Sequence, residues 1–326
     1  MTDDRIQRLA LLALAIAVLG TLTTLVFLGF RIPARFATDV WSAHYFHGTI
    51  PQPPFSAFST LQVSSDASPQ LREVHFYLFG SDGGGRDLLA LTARAVVPSL
   101  QLVALALIAR MILGIGAGFV IATGTEPLRT IARAAGGWIA GFPYLALAVL
   151  VIQSFTGGPS TSAVPGRMRL IGFVVAIAVV GWRDIAELVA SRMQWVNAQP
   201  FALGGRAMGS SGWGFFRRHA WPFVRQALTI ELSFQASAVL VLLAELGFLQ
   251  YYLGGFTQLF EGIGTPSPSF QLATQPELGQ MMSDVRLYLL RQEFAPALVP
   301  ALALALAALS FELLGRALRG KTDLPI

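Results

Sequence analysis

The sequence has no cysteine and few charged residues. The absence of cysteine from all 326 residues excludes disulfide bonds, thiolate metal sites and a cysteine nucleophile, but leaves the cellular compartment undecided. Charged side chains make up 13% of the chain, whereas about 25% is typical of a soluble domain. So few charges cannot solvate a compact surface in water. We therefore expect the lipid bilayer to be the solvent of this chain.

Hydrophobic residues make up 54% of the chain and are arranged in long runs. A helix needs about 20 apolar residues to cross about 30 Å of hydrocarbon. We predict six transmembrane helices, at residues 9–30, 99–123, 136–155, 170–190, 228–249 and 295–318. The first run is longer than the apolar part of a signal peptide and has no clean cleavage site, so we interpret it as a retained helix.

Arginine residues cluster on one side of these predicted helices. Residues 191–225 hold five arginines and no acidic residue, whereas residues 31–98 mix charges of both signs. Cytoplasmic flanks of membrane helices are enriched in lysine and arginine. We therefore expect both termini and loop 191–226 in the cytoplasm, and segments 31–98 and 250–294 outside it.

The predicted fold class is an all-α membrane bundle with an extracytoplasmic insertion between helices 1 and 2. Residues 1–30 would form the N-terminal tail and the first helix, and residues 31–98, rich in proline and aromatic residues, the extracytoplasmic segment. Residues 99–326 would form the core domain, with five transmembrane helices and loop 191–226.

Ionisable residues lie within or near the predicted helices at Arg110, Arg183, Glu231 and Glu245. A charge in hydrocarbon is costly, so each should face another helix, a cavity or the membrane interface. For Glu231 and Glu245 two interpretations remain open: a place on a translocation path or its gate, and an interhelical salt bridge. A proton relay through these two residues would suit a self-sufficient carrier.

The sequence contains no pattern typical of an enzyme or a metal site. Its four histidines, His44, His47, His75 and His219, do not form a ligand set, and no nucleophile with a matching base is recognisable. The glycines at 83–85 lack the lysine and the serine or threonine that follow in a phosphate-binding loop. We therefore expect no metal, no cofactor and no ATP hydrolysis in this chain.

Loop 191–226 carries a motif of the permeases of ATP-binding-cassette (ABC) importers. Their pattern is E-A-A, three residues, Gly, nine residues, then I-x-L-P. Here Leu203, Gly204, Gly205, Arg206, Ala207, Met208 and Gly209 are followed after nine residues by His219, Ala220, Trp221 and Pro222. The loop resembles most closely the peptide-importer branch, whose helix is followed by F-R-H-I-L-P-N.

Four further stretches resemble the C-type subunit of dipeptide and oligopeptide importers. Residues 80–87 are similar to G-T-D-x-x-G-R-D, and residues 141–143 contain the F-P of the third span. Residues 244–249 resemble E-A-x-L-S-F-L-G, and residues 277–282 resemble S-W-G-x-M-L. Five motifs in the family's order, from Gly80 onward, are a specific signal.

The resemblance implies partners and roles. The chain would pair with a second, B-type permease, with two ATP-binding subunits that bind ATP and Mg, and with an extracytoplasmic substrate-binding protein. Its cargo would be peptides or related small solutes. The coupling helix that docks on the ATPase would include Arg206, Ala207, Met208, Gly209 and Ser210.

Departures from the family pattern mark a divergent member. The family's Glu-Ala-Ala is Leu203-Gly204-Gly205 here, and the asparagine after its proline is Phe223. Two glycines loosen a helix, at roughly 1 kcal/mol each against alanine. In the glycine-rich turn, Asp82, Arg86 and Asp87 either lock the end of the second span or contact a binding protein.

Overall fold

A computed structural model describes residues 2–33, 54–65, 68–159, 165–209, 212–254, 256–259, 270–273 and 276–319. The long helices and the helices that complete them are α1 (Thr2–Arg31), α2 (Leu88–Thr123), α3 (Glu126–Ala140), α4 (Tyr144–Thr156), α5 (Gly166–Asn197), α8 (Trp221–Phe248) and α11 (Phe294–Arg319). The short helices are α6 (Pro200–Ala207), α7 (Gly212–Phe215), α9 (Leu278–Met281) and α10 (Val285–Leu290). A π-helical turn, Phe216–Ala220, joins α7 to α8.

Four helices in the described residues are long and apolar enough to cross a membrane: α1, α2, α8 with its α7 extension, and α11. The pair α3 and α4 would add a fifth if it forms one broken span. Helix α5 occupies the predicted fourth span, but Arg183, Asp184 and Glu187 interrupt its apolar run. A multi-pass membrane protein is thus supported, and the count of six spans stays a prediction.

The centre of the bundle is formed by α2, α5 and α8, with α4 and α11 packed around them. Its core includes Leu102, Ile177 and Leu240, each at most 1% exposed. A second cluster, which includes Met193 and Phe216, joins α5 to the segment that leads into α8. Helix α1 packs at the edge, against α2 and α11.

The predicted third span is sharply bent. Helices α3 and α4 meet at an angle of 102° across a break of three residues that contains Pro143. Proline restricts its own backbone and that of the preceding residue, which favours a boundary at this point. Only α4 therefore runs along the bundle, where it packs against α5.

The described residues are not all helical. Strands β1 (Ser59–Ser65) and β2 (Ser68–Tyr77) form an antiparallel hairpin within the predicted extracytoplasmic segment, and β3 (Phe256–Leu259) pairs with β4 (Phe270–Ala273). Helix α2 begins at Leu88, before the predicted start of the second span at residue 99, because Asp87 caps it there. Two small hairpins thus accompany the helical bundle.

Candidate functional site

The loop motif falls on α6, a two-turn helix between α5 and the α7–α8 segment that ends at Ala207, so Met208 and Gly209 of the predicted coupling helix follow it, and its coupling role stays a prediction. The amide of Met208 donates to the carbonyl oxygen of Gly204, which closes the last turn. Gly209 follows with φ +82°, a left-handed conformation that glycine adopts without strain. The helix thus ends at Ala207, and Gly209 two residues later turns the chain.

The two halves of the loop motif touch at Gly205 and His219. A β-carbon at Gly205 would lie 3.3 Å from Nε2 of His219, so the missing side chain makes room for the imidazole ring. That ring also packs on Phe215, with 5.2 Å between ring centroids. The glycine that departs from the family's alanine is therefore explained by this contact, while Gly204 is exposed and has no such neighbour.

Aromatic rings fix α6 to the bundle. Phe201 of α6 stacks on Phe223 of α8 with centroids 6.1 Å apart, and Trp195 at the end of α5 meets the same Phe223 edge-on at 5.5 Å. Phe223 occupies the position of the family's asparagine, so an apolar contact replaces a polar one here. Pro222 lies in the first turn of α8, where its missing N–H breaks no helical hydrogen bond.

The free end of α6 is apolar and exposed. Met208 is 83% exposed, and Trp213, after the turn, is 61% exposed. Trp213 meets Phe119 of α2 edge-on at 5.7 Å, so Met208 is the exposed apolar side chain at the end of α6 itself, where another protein can cover it. The side chains of Leu203, Arg206 and Ala207, and the whole of Ser210, lie outside the described residues.

Asp82, Arg86 and Asp87 lie at the opposite end of the bundle and are buried. Both Nε and Nη2 of Arg86 contact Oδ2 of Asp82, at 2.7 and 2.6 Å. The other carboxylate oxygen of Asp82 accepts from the backbone amides of Gly84 and Arg86, at 3.0 and 2.8 Å. This carboxylate therefore organises the whole glycine-rich turn.

Asp87 links that turn to α2 and to the hairpin. Its Oδ1 accepts from the amide of Ala90 at 3.0 Å, which caps the helix, and its Oδ2 lies 2.8 Å from Nε2 of His75 on β2. A side-chain cap satisfies one of the amides that a helix start leaves unbonded. The side chain of Asp87 is 1% exposed, which favours a structural lock over contact with a binding protein.

Two tyrosines complete this cluster, which we call the outer clamp: His75, Tyr77, Asp82, Arg86, Asp87 and Tyr288. The hydroxyl of Tyr77 donates to the carbonyl oxygen of Gly85 at 2.9 Å, and that of Tyr288 accepts from the amide of Gly83 at 2.9 Å. Burial, followed by nearby carboxylates, raises the pKa of both phenols well above the ordinary value. Both therefore remain neutral hydrogen-bonding groups.

A polar chain crosses the interior of the bundle from Arg110 to Glu231. Arg110 of α2 is 3% exposed. Its Nε and Nη2 both donate to the carbonyl oxygen of Ile177 on α5, at 3.1 and 2.7 Å. Its Nη1 donates to the side-chain oxygen of Gln235 on α8. Gln235 in turn donates to Oε1 of Glu231 at 2.8 Å. Glu231 is half-buried at the end of this chain. Buried polar groups in a membrane require such partners.

Glycine makes this chain possible. A β-carbon at Gly181 would lie 2.1 Å from Cζ of Arg110, so any side chain would displace the guanidinium. Glu245, the second predicted path residue, lies about four helical turns further along α8. It is exposed, and its carboxylate has no hydrogen bond or ion pair to the described residues. The structure therefore separates Glu231 from Glu245, and the role of each stays a prediction.

Glu277 is a buried carboxyl that the motif comparison did not single out. It precedes α9, is 3% exposed, and its Oε2 accepts from the amide of Leu253 at 3.1 Å. Burial raises its pKa to about 7. Glu277 occupies the position of the serine in the family motif. The helix that follows it, α9, lies very close to α8, because a β-carbon at Gly247 of α8 would be 1.9 Å from the carbonyl oxygen of Gly279.

Sequence reasoning missed Gln235, His75, Tyr288 and the burial of Glu277. Only Gln235 had a usable signal, since its spacing of four residues from Glu231 places both on one helical face. The others act through contacts with segments distant in sequence, such as Tyr288 with Gly83.

Comparison with known proteins finds permeases. The chain is 25% identical over 246 residues to a peptide permease protein of Brucella ovis, an alignment that covers 75% of this chain and 72% of that protein. It is 24% identical over 247 residues to the dipeptide transport system permease protein DppC of Alkalihalophilus pseudofirmus, with 75% and 71% covered. It is 26% identical over 184 residues to the glutathione transport system permease protein GsiD of Pectobacterium atrosepticum, with 56% and 50% covered.

No family model matches the sequence. The resemblance to importer permeases that the motifs predicted is nevertheless confirmed, because the relatives above are permeases of peptide, dipeptide and glutathione transport. Such permeases are components of transporters and not enzymes by themselves.

Proposed function

We propose that this chain is a transmembrane permease subunit of an ABC importer that moves peptides or related small solutes into the cell. The observation that carries the proposal is α6, a short helix that is braced from beneath by Phe223 and His219 and exposes Met208 at its tip. The similarity to peptide, dipeptide and glutathione permeases supports the cargo class.

In this proposal α6 is the coupling helix. Two ATP-binding subunits on the cytoplasmic face bind ATP and Mg, and one of them receives Met208 and the turn at Gly209 in a surface groove. Because the aromatic contacts with Trp195 and Phe223 tie α6 to α5 and α8, movement of the ATPase would shift these helices as a rigid unit. This chain itself hydrolyses no ATP.

The path for the cargo would lie between this chain and a second, B-type permease. Glu245 is exposed on α8, and a lipid-facing carboxylate carries a penalty of a few kcal/mol. We therefore place Glu245 toward the partner permease or the path, and Glu231 at the end of the Arg110 chain on the same helix. An extracytoplasmic binding protein would deliver the cargo to the opposite end.

The proposed orientation puts both termini, loop 191–226 and α6 in the cytoplasm, with the outer clamp and the hairpin β1–β2 outside. Reporter fusions after Arg225 and after Ser65 should report opposite sides of the cytoplasmic membrane. Reporters on the same side would contradict this topology.

The test of function is reconstitution. Proteins that copurify with the tagged chain in mild detergent should include an ATPase and a second permease, and the reconstituted assembly should take up labelled dipeptide only with ATP. Uptake by the chain alone, driven by a proton gradient and lost in Glu231→Gln, would replace this proposal with a secondary carrier.

A further inference from the structure

A surface groove between α3 and α5 has no role in the proposed function. Its volume is about 380 Å³, and its walls come from the end of α2, one side of α3 and the second half of α5. The residues that give it chemical character are Arg133, Trp182, Arg183, Glu187, Ser191 and Gln194. Gly136 lets the two helices approach, since a β-carbon there would lie 3.3 Å from Cγ of Arg183.

Helix α3 is amphipathic and is bent away from α4. Leu128, Ile131 and Trp138 follow one side of it and are 53%, 65% and 76% exposed, while Arg129 and Arg133 follow the other side. Helix α4 packs against α5, and α3 is bent from α4 by 102°, so α3 turns sharply away from the direction of α4. An amphipathic helix in that orientation suits the plane of a membrane interface, with its apolar side toward the acyl chains.

The groove beside α3 carries net positive charge. Arg133 and Arg183 contribute two positive charges, and Glu187, whose Oε1 lies 2.7 Å from Nε of Arg183, contributes one negative charge. Ser191 and Gln194 follow Glu187 on the same face of α5; the Ser191 hydroxyl donates to the carbonyl oxygen of Leu188 at 2.9 Å, and Gln194 adds amide donors. Guanidinium and amide groups together are suited to a phosphate group.

We propose that this groove binds the phosphate headgroup of an anionic phospholipid in the cytoplasmic leaflet. The exposed apolar side of α3 favours a lipid over a free anion, because the acyl chains can cover Leu128 and Ile131 while the headgroup meets the arginines. Arg183 extends from the apolar part of α5 toward that headgroup level. The inference rests on the membrane orientation proposed above.

Brominated lipids test the proposal through quenching of tryptophan fluorescence. The purified chain, with any copurifying subunits, is titrated in neutral-detergent micelles with brominated phosphatidylglycerol or brominated phosphatidylcholine. The signal of Trp182 is obtained by difference from Trp182→Phe. Phosphatidylglycerol should quench it saturably and at least fivefold more tightly than phosphatidylcholine.

Matched arginine variants locate the site. Arg133→Gln and Arg183→Gln should each weaken phosphatidylglycerol binding about fivefold, as expected for the loss of one cation near a lipid headgroup. Arg316→Gln is the control, because Arg316 also pairs with a glutamate on the same helix, Glu312, but lies outside the groove. It should leave binding unchanged.

The proposal would be overturned by equal quenching by both lipids, by equal effects of the Arg183 and Arg316 variants, or by full displacement of the lipid by glycerol phosphate at comparable concentration. Loss of the Trp182 signal when a second permease is bound would also overturn it, since the groove would then be a subunit interface. None of these measurements needs ATP or transport, so a negative result for lipid binding would leave the proposed transport function untouched, and the reverse also holds.

Discussion

The two ends of the bundle are built from different chemistry. The outer clamp buries charged and hydrogen-bonding groups, with Asp82 and Arg86 each 6% exposed, and its carboxylates accept from backbone amides of the glycine-rich turn and of the start of α2. The α6 end is braced by aromatic rings and exposes Met208 at 83%. A satisfied buried network specifies one geometry, whereas an exposed apolar tip gains stability only when a partner covers it. The comparison therefore predicts rigidity at one end and docking of a partner at the other.

Asp87→Ala should have the largest effect on stability. It removes the α2 cap and the partner of His75 from a buried site, and should lower the free energy of unfolding by about 2–4 kcal/mol. Thermal unfolding in detergent measures this loss. Glu126→Ala, which removes a carboxylate 78% exposed at the start of α3, should cost at most about 0.5 kcal/mol. Equal losses would show that the clamp does not hold the outer end.

Glu277 makes the outer half of the molecule sensitive to pH. Its pKa is about 7 in the folded chain and 4.5 in the unfolded chain, so the folded state retains a proton that the unfolded state releases. Stability from this group is full below pH 4.5 and falls as pH rises through 7, by on the order of 3 kcal/mol. Unfolding of the parent chain should thus be easier at pH 8 than at pH 5.

Glu277→Gln should remove most of that difference, because the amide oxygen can still accept from Leu253 and carries no charge at any pH. Glu187→Gln, which removes an exposed carboxylate, should keep the parent's difference. A variant at 277 that retains the full pH dependence would assign it to another group.

Gly209→Val tests the α6 end. Valine at φ +82° is strained and should cost about 1–2 kcal/mol locally, although none of the described residues has an atom within 4 Å of the new β-carbon. We expect the chain to insert and bind its partners while ATP hydrolysis and uptake become uncoupled, measured in the reconstituted assembly. Gly157→Val, also at a positive φ of 69°, is the control outside the loop and should leave coupling intact. Uncoupling in both variants would contradict a specific role for Gly209.

Alanine substitutions at the neighbouring glycines of α6, Gly204 and Gly205, should change stability least, and their effects can be compared directly. Gly204→Ala meets no atom of the described residues within 4 Å and should stabilise α6 by about 0.5–1 kcal/mol through helix propensity. Gly205→Ala should gain less, because its β-carbon would lie 3.3 Å from Nε2 of His219. Hydrogen exchange of the amide of Met208 reports both changes. An equal gain at the two positions would remove the proposed reason for Gly205.

The sequence predicted local features better than distant contacts. The motif spacing falls on α6 and Gly209, and apolar run length located α11 within one residue at each end and the C-terminal ends of α1 and α8. The sequence showed a proline at position 143 but not the 102° bend beside it, because that angle depends on how α4 packs on α5. The Arg110–Gln235 contact and the Tyr288–Gly83 bond join segments far apart in sequence, so no local pattern encodes them, whereas the Gln235–Glu231 bond follows from their spacing of four residues on one helix.

Site-specific crosslinking tests the central claim, that α6 is the surface on which the ATPase docks. The native chain has no cysteine, so Met208→Cys introduces a single thiol at the tip of α6. In the purified assembly we expect a crosslinked product of this variant with the ATP-binding subunit. Val74→Cys on β2, where the side chain is 60% exposed, should give none. A product from residue 74 but not from residue 208 would contradict the account.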